Sequence, residues 1–297
     1  MVLAAFIADS LALGAHWIYD TDRIAQQFGT ISDLLPASPE GYHPTKQRGE
    51  FTHYGDQMLH LLDYLCLQQG QFIATEYFSS WVEMFSHYSG YLDRAMKTSL
   101  ENHNSGRPNL ECGSASTDLG GPARFAPLLF CCVDDETLSV EYATALTRLT
   151  HNSPAALASS TFLARSCCFL LQGAQPREAF QESLDKGIND IDLEMRLYAV
   201  LDRSPGDVIE TVKELGQMCG AAAALPGSIY TVLSHEESLE NALIATVMAG
   251  GDSAARGMTV GMLLGAFLGE TAIPPRWLAG LSSREHIQHQ LTHLARI

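Results

Sequence analysis

The feature that most restricts how this chain can fold is a glycine repeat that follows the turn Gly250-Gly251. The two glycines let the chain turn through positive φ angles that other residues avoid, and Asp252 or Ser253 is expected to cap the next helix. Glycines then recur at every fourth position, namely Gly257, Gly261, Gly265 and Gly269. Glycine costs about 1 kcal/mol per helical position relative to alanine, so the repeat predicts a helix pressed closely against another backbone. The carboxylate, the hydroxyl and the Arg256 guanidinium at the start of that helix indicate a functional site.

The rest of the chain is predicted to be helical as well. Apolar residues recur at three- and four-residue spacing with little period-two alternation, which is typical of amphipathic helices. Helices are predicted at 1–18, 22–28, 58–67, 72–86, 91–102, after Arg124, and at 136–150, 154–171, 177–186, 190–201, 205–218, 229–233, 236–248 and 283–295, beside the glycine-repeat helix that ends near Leu268. No internal repeat, low-complexity tract or linker divides the chain. We therefore expect one all-α domain over residues 1–297.

Charge and cysteine content narrow the classes of partner. The formal net charge is −16, from 34 acidic and 18 basic residues, which argues against nucleic acid or an anionic membrane as the main partner. The seven cysteines are odd in number and form no C-x-x-C motif, so we expect no disulfide framework and no zinc site. The apolar N-terminus lacks a basic segment, and no uninterrupted apolar run of about eighteen residues occurs. These features predict a cytoplasmic protein without a signal peptide or membrane span.

Three polar clusters stand out against the apolar background, at residues 9–20, 52–57 and 252–256. Asp9 lies in an apolar helical segment, and an unpaired buried carboxylate is costly. A hydrogen-bonded structural role and a role in a site are both open for it. Hard divalent cations prefer carboxylate and hydroxyl oxygens. Asp56 with Thr52, and Asp252 with Ser253, provide such oxygens if the two helix starts meet.

Histidines contribute less specific signals. Three of them, His16, His53 and His151, lie beside turns or polar clusters. A single histidine in such a position serves the structure more often than it binds a ligand.

The order of the motifs along the chain resembles the ADP-ribosylglycohydrolase family, whose members include dinitrogenase-reductase-activating glycohydrolases and jellyfish J1 crystallin. Six segments carry this resemblance, and they lie at 6–11, 52–58, 119–127, 150–154, 250–253 and 273–277. The resemblance implies an all-α orthogonal bundle with a central cleft. It also implies that two Mg²⁺ or Mn²⁺ ions assist cleavage of the glycosidic bond in ADP-ribosylated side chains or related ADP-ribosyl compounds.

The first departure from the family pattern lies before the second family helix. Active members carry Thr-Asp-Asp-Thr there, whereas this chain has His53, Tyr54, Gly55 and Asp56. Both metal-binding aspartates of that run are therefore missing, and Asp56 stands at the last threonine.

The second departure lies in the late family motif, Gly-Gly-Asp-x-Asp-Thr. Asp252 keeps the first carboxylate, while Ala254 and Ala255 replace the second aspartate and the threonine. Arg256 comes close to the place of the second metal, and its charge either substitutes for a cation or repels one. The family glutamate of the N-terminal stretch has no sure equivalent, and Tyr19 or Asp20 is nearest. We therefore expect the binuclear site to be lost.

These departures leave three hypotheses open. In the first, the protein is a hydrolase with a divergent centre, in which Asp56 or Asp252 activates water and Arg256 or a single Mg²⁺ or Mn²⁺ ion, bound by Asp252 and Asp56, stabilises developing charge. In the second, it is a pseudoenzyme that binds ADP-ribose or a related nucleotide without metal. The substrate-binding residues expected under these two hypotheses are Asp9, Tyr19, Asp20, His53, Tyr54 and Arg256.

The third hypothesis is a structural role of the kind found in lens crystallins. Its distinguishing sign is a cleft filled by side chains such as Tyr54 and Trp17. The sequence also leaves open whether Arg256 faces a ligand or pairs with Asp252, because both lie within one helical turn.

Overall fold

A computed structural model describes residues 1–296. The chain is 65% helical, with sixteen α-helices and no strand in this range, so the all-α prediction is confirmed. The α-helices are α1 (Val2–Ala12), α2 (Thr21–Phe28), α3 (His53–Leu67), α4 (Ala74–Ser86), α5 (Arg94–Asn104), α6 (Ala126–Cys132), α7 (Glu136–Arg148), α8 (Pro154–Leu171), α9 (Pro176–Asp185), α10 (Ile191–Leu201), α11 (Val208–Leu215), α12 (Ala221–Ser234), α13 (Leu239–Met248), α14 (Ser253–Leu268), α15 (Pro275–Gly280) and α16 (Arg284–Leu294). Short 3-10 helices occupy Asn109–Glu111, Pro122–Arg124 and Glu270–Ala272.

Many of these helices begin at a residue whose side chain accepts a hydrogen bond from an amide of the first turn. Such caps satisfy backbone donors that have no partner within the helix. The capping residues are Asp20, Thr52, Asp93, Asp135, Ser153, Asp190, Asp207, Ser238 and Asp252. The local sequence therefore determines where many of the helices begin.

Helix bounds differ from the predictions mainly near the site. The first helix ends at Ala12 and not at residue 18, and α3 begins at His53 and not at residue 58. Helix α12 runs over fourteen residues, where only 229–233 was predicted, because it continues through Pro226. Proline weakens an isolated helix, but α12 is held on its buried face by the core. The short helix α15 was not predicted.

The close approach predicted from the glycine repeat is present between α14 and α1. A β-carbon added at Gly261 would lie 2.6 Å from the Ala4 carbonyl oxygen, and one at Gly265 would lie 2.7 Å from the Ala4 β-carbon. Gly250 and Gly251 adopt φ angles of 68° and 65°, as the turn requires. Two backbones in contact thus place the N-terminus of α14 beside the end of α1.

Among residues 1–296, one helix is long and apolar enough to span a membrane by length and composition alone. It is α8, and 67% of it is buried inside the protein. Buried core helices of soluble proteins meet the same criterion, so this observation is weak evidence for a membrane span.

Candidate functional site

The site lies where the end of α1 and the starts of α3 and α14 meet. Asp252 is fully buried, and its Oδ1 accepts hydrogen bonds from His16 Nε2 at 3.0 Å and the Ala255 amide at 3.2 Å. The Tyr54 hydroxyl donates to Oδ2 at 3.4 Å. Burial acts to raise the pKa of this carboxyl, but the His16 hydrogen bond and the nearby Arg256 charge hold it below its usual value. Asp252 is therefore ionised, and both of its oxygens are occupied by protein donors.

Two histidines extend from this carboxylate in a chain. His16 Nδ1 lies 3.1 Å from His43 Nε2, and both side chains are buried. Burial lowers the pKa of His16, and lowers that of His43 to about 2, so both rings are neutral at physiological pH. Since His16 Nε2–H donates to Asp252, its Nδ1 accepts from His43 Nε2–H. His43 Nδ1 is then left as a buried acceptor with no partner among residues 1–296.

Aromatic rings surround the hydrogen-bonded series Asp252–His16–His43 and occupy much of the cleft. Trp17 stacks on His16 with centroids 4.0 Å apart, and His53 lies 3.9 Å from Tyr54. His53 Nε2 also binds Asp93 at 3.1 Å. Trp17 has a φ of 65°, and its amide donates to the Gly251 carbonyl at 2.9 Å. The Gly250-Gly251 turn therefore holds the backbone at Trp17, and stacking on His16 orients the Trp17 ring.

Asp9 is hydrogen-bonded within the fold. It is fully buried and accepts from the Thr52 amide at 2.7 Å and the Thr52 hydroxyl at 2.6 Å. A β-carbon at Gly55 would lie 2.4 Å from Asp9 Oδ2. The carboxylate of Asp9 thus occupies the space that a side chain at position 55 needs, which explains the glycine there. Of the two roles left open by the sequence, these contacts match the structural one.

Asp9 predicts a measurable pH dependence of stability. Burial raises its pKa to about 7, above its unfolded value, so the folded state holds a proton that the unfolded state releases. Stability from this group is full at low pH and is lost as the pH rises toward 7. We expect the free energy of unfolding of the wild type to fall by about 2 kcal/mol between pH 5 and 7 relative to Asp9→Asn. Urea titrations at several pH values measure this difference, and parallel pH curves for the two proteins would contradict it.

Asp56 is occupied by a cation from the protein itself. Lys46 Nζ contacts its two carboxylate oxygens at 2.6 and 2.9 Å, and the Tyr88 hydroxyl donates to it at 2.5 Å. Asp56 and Asp252 share no hydrogen-bond partner within residues 1–296. The expectation that these two aspartates form one oxygen cluster is therefore corrected. In this conformation Lys46 neutralises Asp56.

Arg256 serves the backbone of the Gly250-Gly251 turn. Its guanidinium is buried and donates to the carbonyls of Gln217, at 3.0 Å, and Gly250. It makes no ion pair with Asp252 within the described part of the chain. Burial lowers the pKa of Arg256 to about 10, which still leaves it charged. The sequence left open whether Arg256 faces a ligand or pairs with Asp252; in the structure two of its nitrogens donate to backbone carbonyls, and its Nε has no partner within residues 1–296.

The remaining two predicted residues lie at the rim of the site. Asp20 caps α2 by accepting from the amides of Asp22 and Arg23 at 3.0 Å each. Tyr19 is 45% exposed. Both line a cavity of about 320 Å³ together with Trp17 and His43.

The donor set does not fit a pair of divalent metal ions. Within residues 1–296 no group of three or more His, Cys, Asp or Glu side chains is arranged to hold a metal. The oxygens of Asp9 and Asp252 already accept protein hydrogen bonds, and Ala254 and Ala255 supply no side-chain oxygen. Hard cations need several oxygen ligands, so we assign no step to a metal.

A second, polar cavity of about 460 Å³ is lined by Arg94, Thr98 and the segment 114–118. The segment supplies hydroxyls from Ser114, Ser116 and Thr117, and Arg94 adds a positive charge. Burial raises the pKa of Asp118 in the same cavity. Hydroxyls around an arginine suit an anionic group such as a phosphate.

Several residues of the site were not identified from the sequence. They are Tyr42, His43, Tyr91, Asp93 and Arg94. The signal for His43 was its place in a long loop rich in proline and glycine, since long loops in compact proteins are often functional. No local pattern distinguishes the others, because their role depends on contacts with residues far away in the chain.

Comparisons with known proteins agree with this architecture. A family model described as ADP-ribosylglycohydrolase matches residues 1–296. Crystallin J1A of Tripedalia cystophora is 24% identical over 321 aligned residues, which cover 100% of this chain and 95% of the crystallin. ADP-ribosylhydrolase ARH3 of Gallus gallus is 27% identical over 198 residues, covering 56% of this chain and 53% of that protein. A solved structure described as an ADP-ribosylglycohydrolase-related protein complex superimposes with a TM-score of 0.74 at 22% identity, covering 99% of this chain and 95% of the other.

Proposed function

Because the chain belongs to the ADP-ribosylglycohydrolase family, we propose that it binds an ADP-ribosyl compound in the cleft without a pair of metal ions. The observation that carries the proposal is the environment of Asp252. Its two oxygens accept hydrogen bonds from His16 and Tyr54, so neutral side chains take the place of cations around the carboxylate. The side chains of the cleft can therefore form hydrogen bonds with a ligand and stack on its rings, and these interactions suit ligand binding.

The polar cavity that includes Arg94, the residue after the His53 partner Asp93, supports an anionic part of the ligand. Arg94 and the hydroxyls of segment 114–118 form the polar wall described above. A diphosphate needs such donors, whereas the buried rings around His43 suit an uncharged part of the same molecule. We also propose a cytoplasmic location, supported by the absence of any disulfide among the seven cysteines.

Calorimetric titration with ADP-ribose tests this function. We expect binding that is unchanged by Mg²⁺, Mn²⁺ or a chelator, and about tenfold weaker in Arg94→Met, because one charged hydrogen-bond donor to phosphate is lost. Arg107→Met serves as the control, since this arginine is exposed outside that cavity. Binding that requires metal and disappears with the chelator would contradict the metal-free site.

A second candidate function is hydrolysis, which the chain Asp252–His16–His43 favours. A carboxylate that orients a histidine, with a free ring nitrogen at the end, resembles the arrangement by which proteins activate water. The water oxygen would bond to the anomeric carbon as the glycosidic bond breaks; His43 Nδ1 would take one water proton and return it to the leaving group. The low pKa of His43 makes it a weak base in this conformation. Release of ADP-ribose from an ADP-ribosylated peptide, lost in His43→Gln, would establish this candidate.

A structural role is the third candidate, and two observations support it. Trp17 and Tyr54 occupy the cleft as rings packed on histidines, and Crystallin J1A is similar along the whole chain. If the protein neither binds ADP-ribose nor releases it from a peptide under any of these conditions, the structural role remains as the explanation.

A further inference from the structure

The loop at residues 37–46 closes on itself beside the site. The Ala37 amide donates to the Lys46 carbonyl at 3.2 Å, and two internal turns, Gly41 to Ser38 and Lys46 to His43, each close with a bond of 2.9 Å. Compact loops whose ends meet are Ω-loops and are often functional. Within residues 1–296, no backbone-to-backbone hydrogen bond joins this loop to another part of the chain. It can therefore move without breaking a helix.

Two polar contacts hold the loop against the protein. One is the bond between His43 and His16, and the other is the ion pair of Lys46 with Asp56. The Tyr42 ring adds an edge contact on Trp17, at a centroid distance of 4.6 Å. Release of the loop requires these side-chain contacts to break and leaves the rest of the fold intact.

The His43 ring occupies a slot between other rings. It lies nearly parallel to His16 and His53, with interplanar angles of 5° and 23° and centroid distances of 5.3 and 5.4 Å. Tyr91 closes the slot with its ring at 80° to that of His43. His43 is only 4% exposed, yet its Nδ1 has no partner within the described residues. A buried acceptor without a donor is unfavourable, so the slot is incompletely satisfied by its occupant.

Tyr42 and His43 also separate two cavities. Both residues line the cavity of about 320 Å³ beside Trp17 and another of about 220 Å³ beside Tyr91. Moving them away joins the two spaces into one cleft of the size that small-molecule sites have.

We propose that the His43 imidazole is a built-in occupant of a ring-binding slot, and that a planar, uncharged heteroaromatic group with an N–H donor displaces it when loop 37–46 opens. A nucleobase is the natural class of such groups. The ring is uncharged because the slot is buried among aromatic side chains, where an unpaired charge is costly. The N–H donor replaces the hydrogen bond from His43 to His16. This inference deepens the proposed function and rests on it for the rest of the ligand, since it names the ring that the cleft receives.

Cavity complementation tests the slot with imidazole itself as the probe. His43→Ala removes the occupant, and we expect it to bind imidazole at about pH 8, where the free base dominates, at least about tenfold more tightly than the wild type does. Trp17 fluorescence reports binding, because Trp81 and Trp277 are fully buried elsewhere. His87→Ala, which changes a histidine on the surface, is the matched control. A folded His43→Ala protein that binds imidazole no better than the wild type overturns the proposal.

A second variant keeps His43 in place and loosens the loop. Lys46→Met removes the ion pair to Asp56, and we expect adenine to bind about tenfold more tightly because the open state is more populated. We also expect acrylamide to quench Trp17 more strongly in this variant. Arg48→Met, which removes an exposed pair with Asp33, is the control. Equal adenine affinity in Lys46→Met and the wild type would contradict the proposal that loop 37–46 must open before a ring enters the slot.

These probes separate the slot from the proposed function. Imidazole and adenine contain no ribose or phosphate. If they bind as expected while ADP-ribose does not, the slot stands and ADP-ribosyl recognition fails. If ADP-ribose binds but neither variant changes imidazole or adenine affinity, the proposed function stands and the slot is overturned.

Discussion

Arg256→Met is expected to lower the free energy of unfolding by about 3–5 kcal/mol. The substitution removes a buried cation and leaves the Gly250 carbonyl without its donor, while the Gln217 carbonyl keeps only the bond from the Asp252 amide. It also leaves Asp252 ionised and buried without the positive charge that helps to keep its pKa low. Each of these changes exposes a polar group to a dry environment, where an unpaired group is costly. We therefore expect Arg256→Met to lower the free energy of unfolding, and any loss of ligand affinity to follow from that loss of stability.

Chemical denaturation with urea measures this change, and Arg276→Met is the matched control. Arg276 pairs with Glu240 on the surface, with both side chains about 40% exposed, and such pairs contribute about 0–1 kcal/mol. An Arg256→Met protein as stable as the wild type, but unable to bind ADP-ribose, would restore the ligand role that the sequence suggested.

Gly261→Leu is expected to destabilise the protein by about 3 kcal/mol or more. At this position α14 touches the backbone of α1, and the first atom of any side chain would lie 2.6 Å from the Ala4 carbonyl oxygen. The obstacle is backbone in a helix and not a flexible side chain, so the two helices must separate. Overpacking of a buried contact typically costs about 1–3 kcal/mol, and leucine adds three more carbons to the clash.

Gly257→Ala provides the control within the same helix. Its β-carbon would lie 3.3 Å from the Ala8 carbonyl oxygen, so a small shift accommodates it. Alanine also gains up to about 1 kcal/mol of helix propensity. We expect this variant to be within about 1 kcal/mol of the wild type. Thermal melting of both variants gives the comparison, and equal melting temperatures would show that α1 and α14 are not locked by their backbones.

Local features of the chain made much of the fold predictable. Apolar spacing and capping residues depend on neighbours within about four positions, and α8 was predicted with both of its ends. The glycine repeat predicted the backbone contact of α14 before its partner was known. Errors arose where tertiary packing outweighed propensity, as at Pro226 inside α12.

The candidate site was predictable only in part. The polar clusters near Asp9, Thr52 and Asp252 do meet, as the bonds from Thr52 to Asp9 and from Tyr54 to Asp252 demonstrate. The roles expected for individual side chains from the sequence differed more often from the contacts that these side chains make in the structure. Asp56 is bound by Lys46, which no local sequence pattern marks as part of the site, and the catalytic role expected for Asp56 requires that this pair first break.

By itself, the sequence determined that the chain is helical, where most helices start, and that α14 must lie against another backbone. These properties follow from interactions between residues close in the chain and from the missing side chains of glycine. Only the tertiary structure decided which groups donate hydrogen bonds to Asp252 and which rings fill the cleft. His16 and Asp252 are 236 positions apart, and no spacing rule connects them. The hydrogen bonds and charges of a buried site depend on which distant side chains share one dry space, because burial makes every unpaired polar group costly.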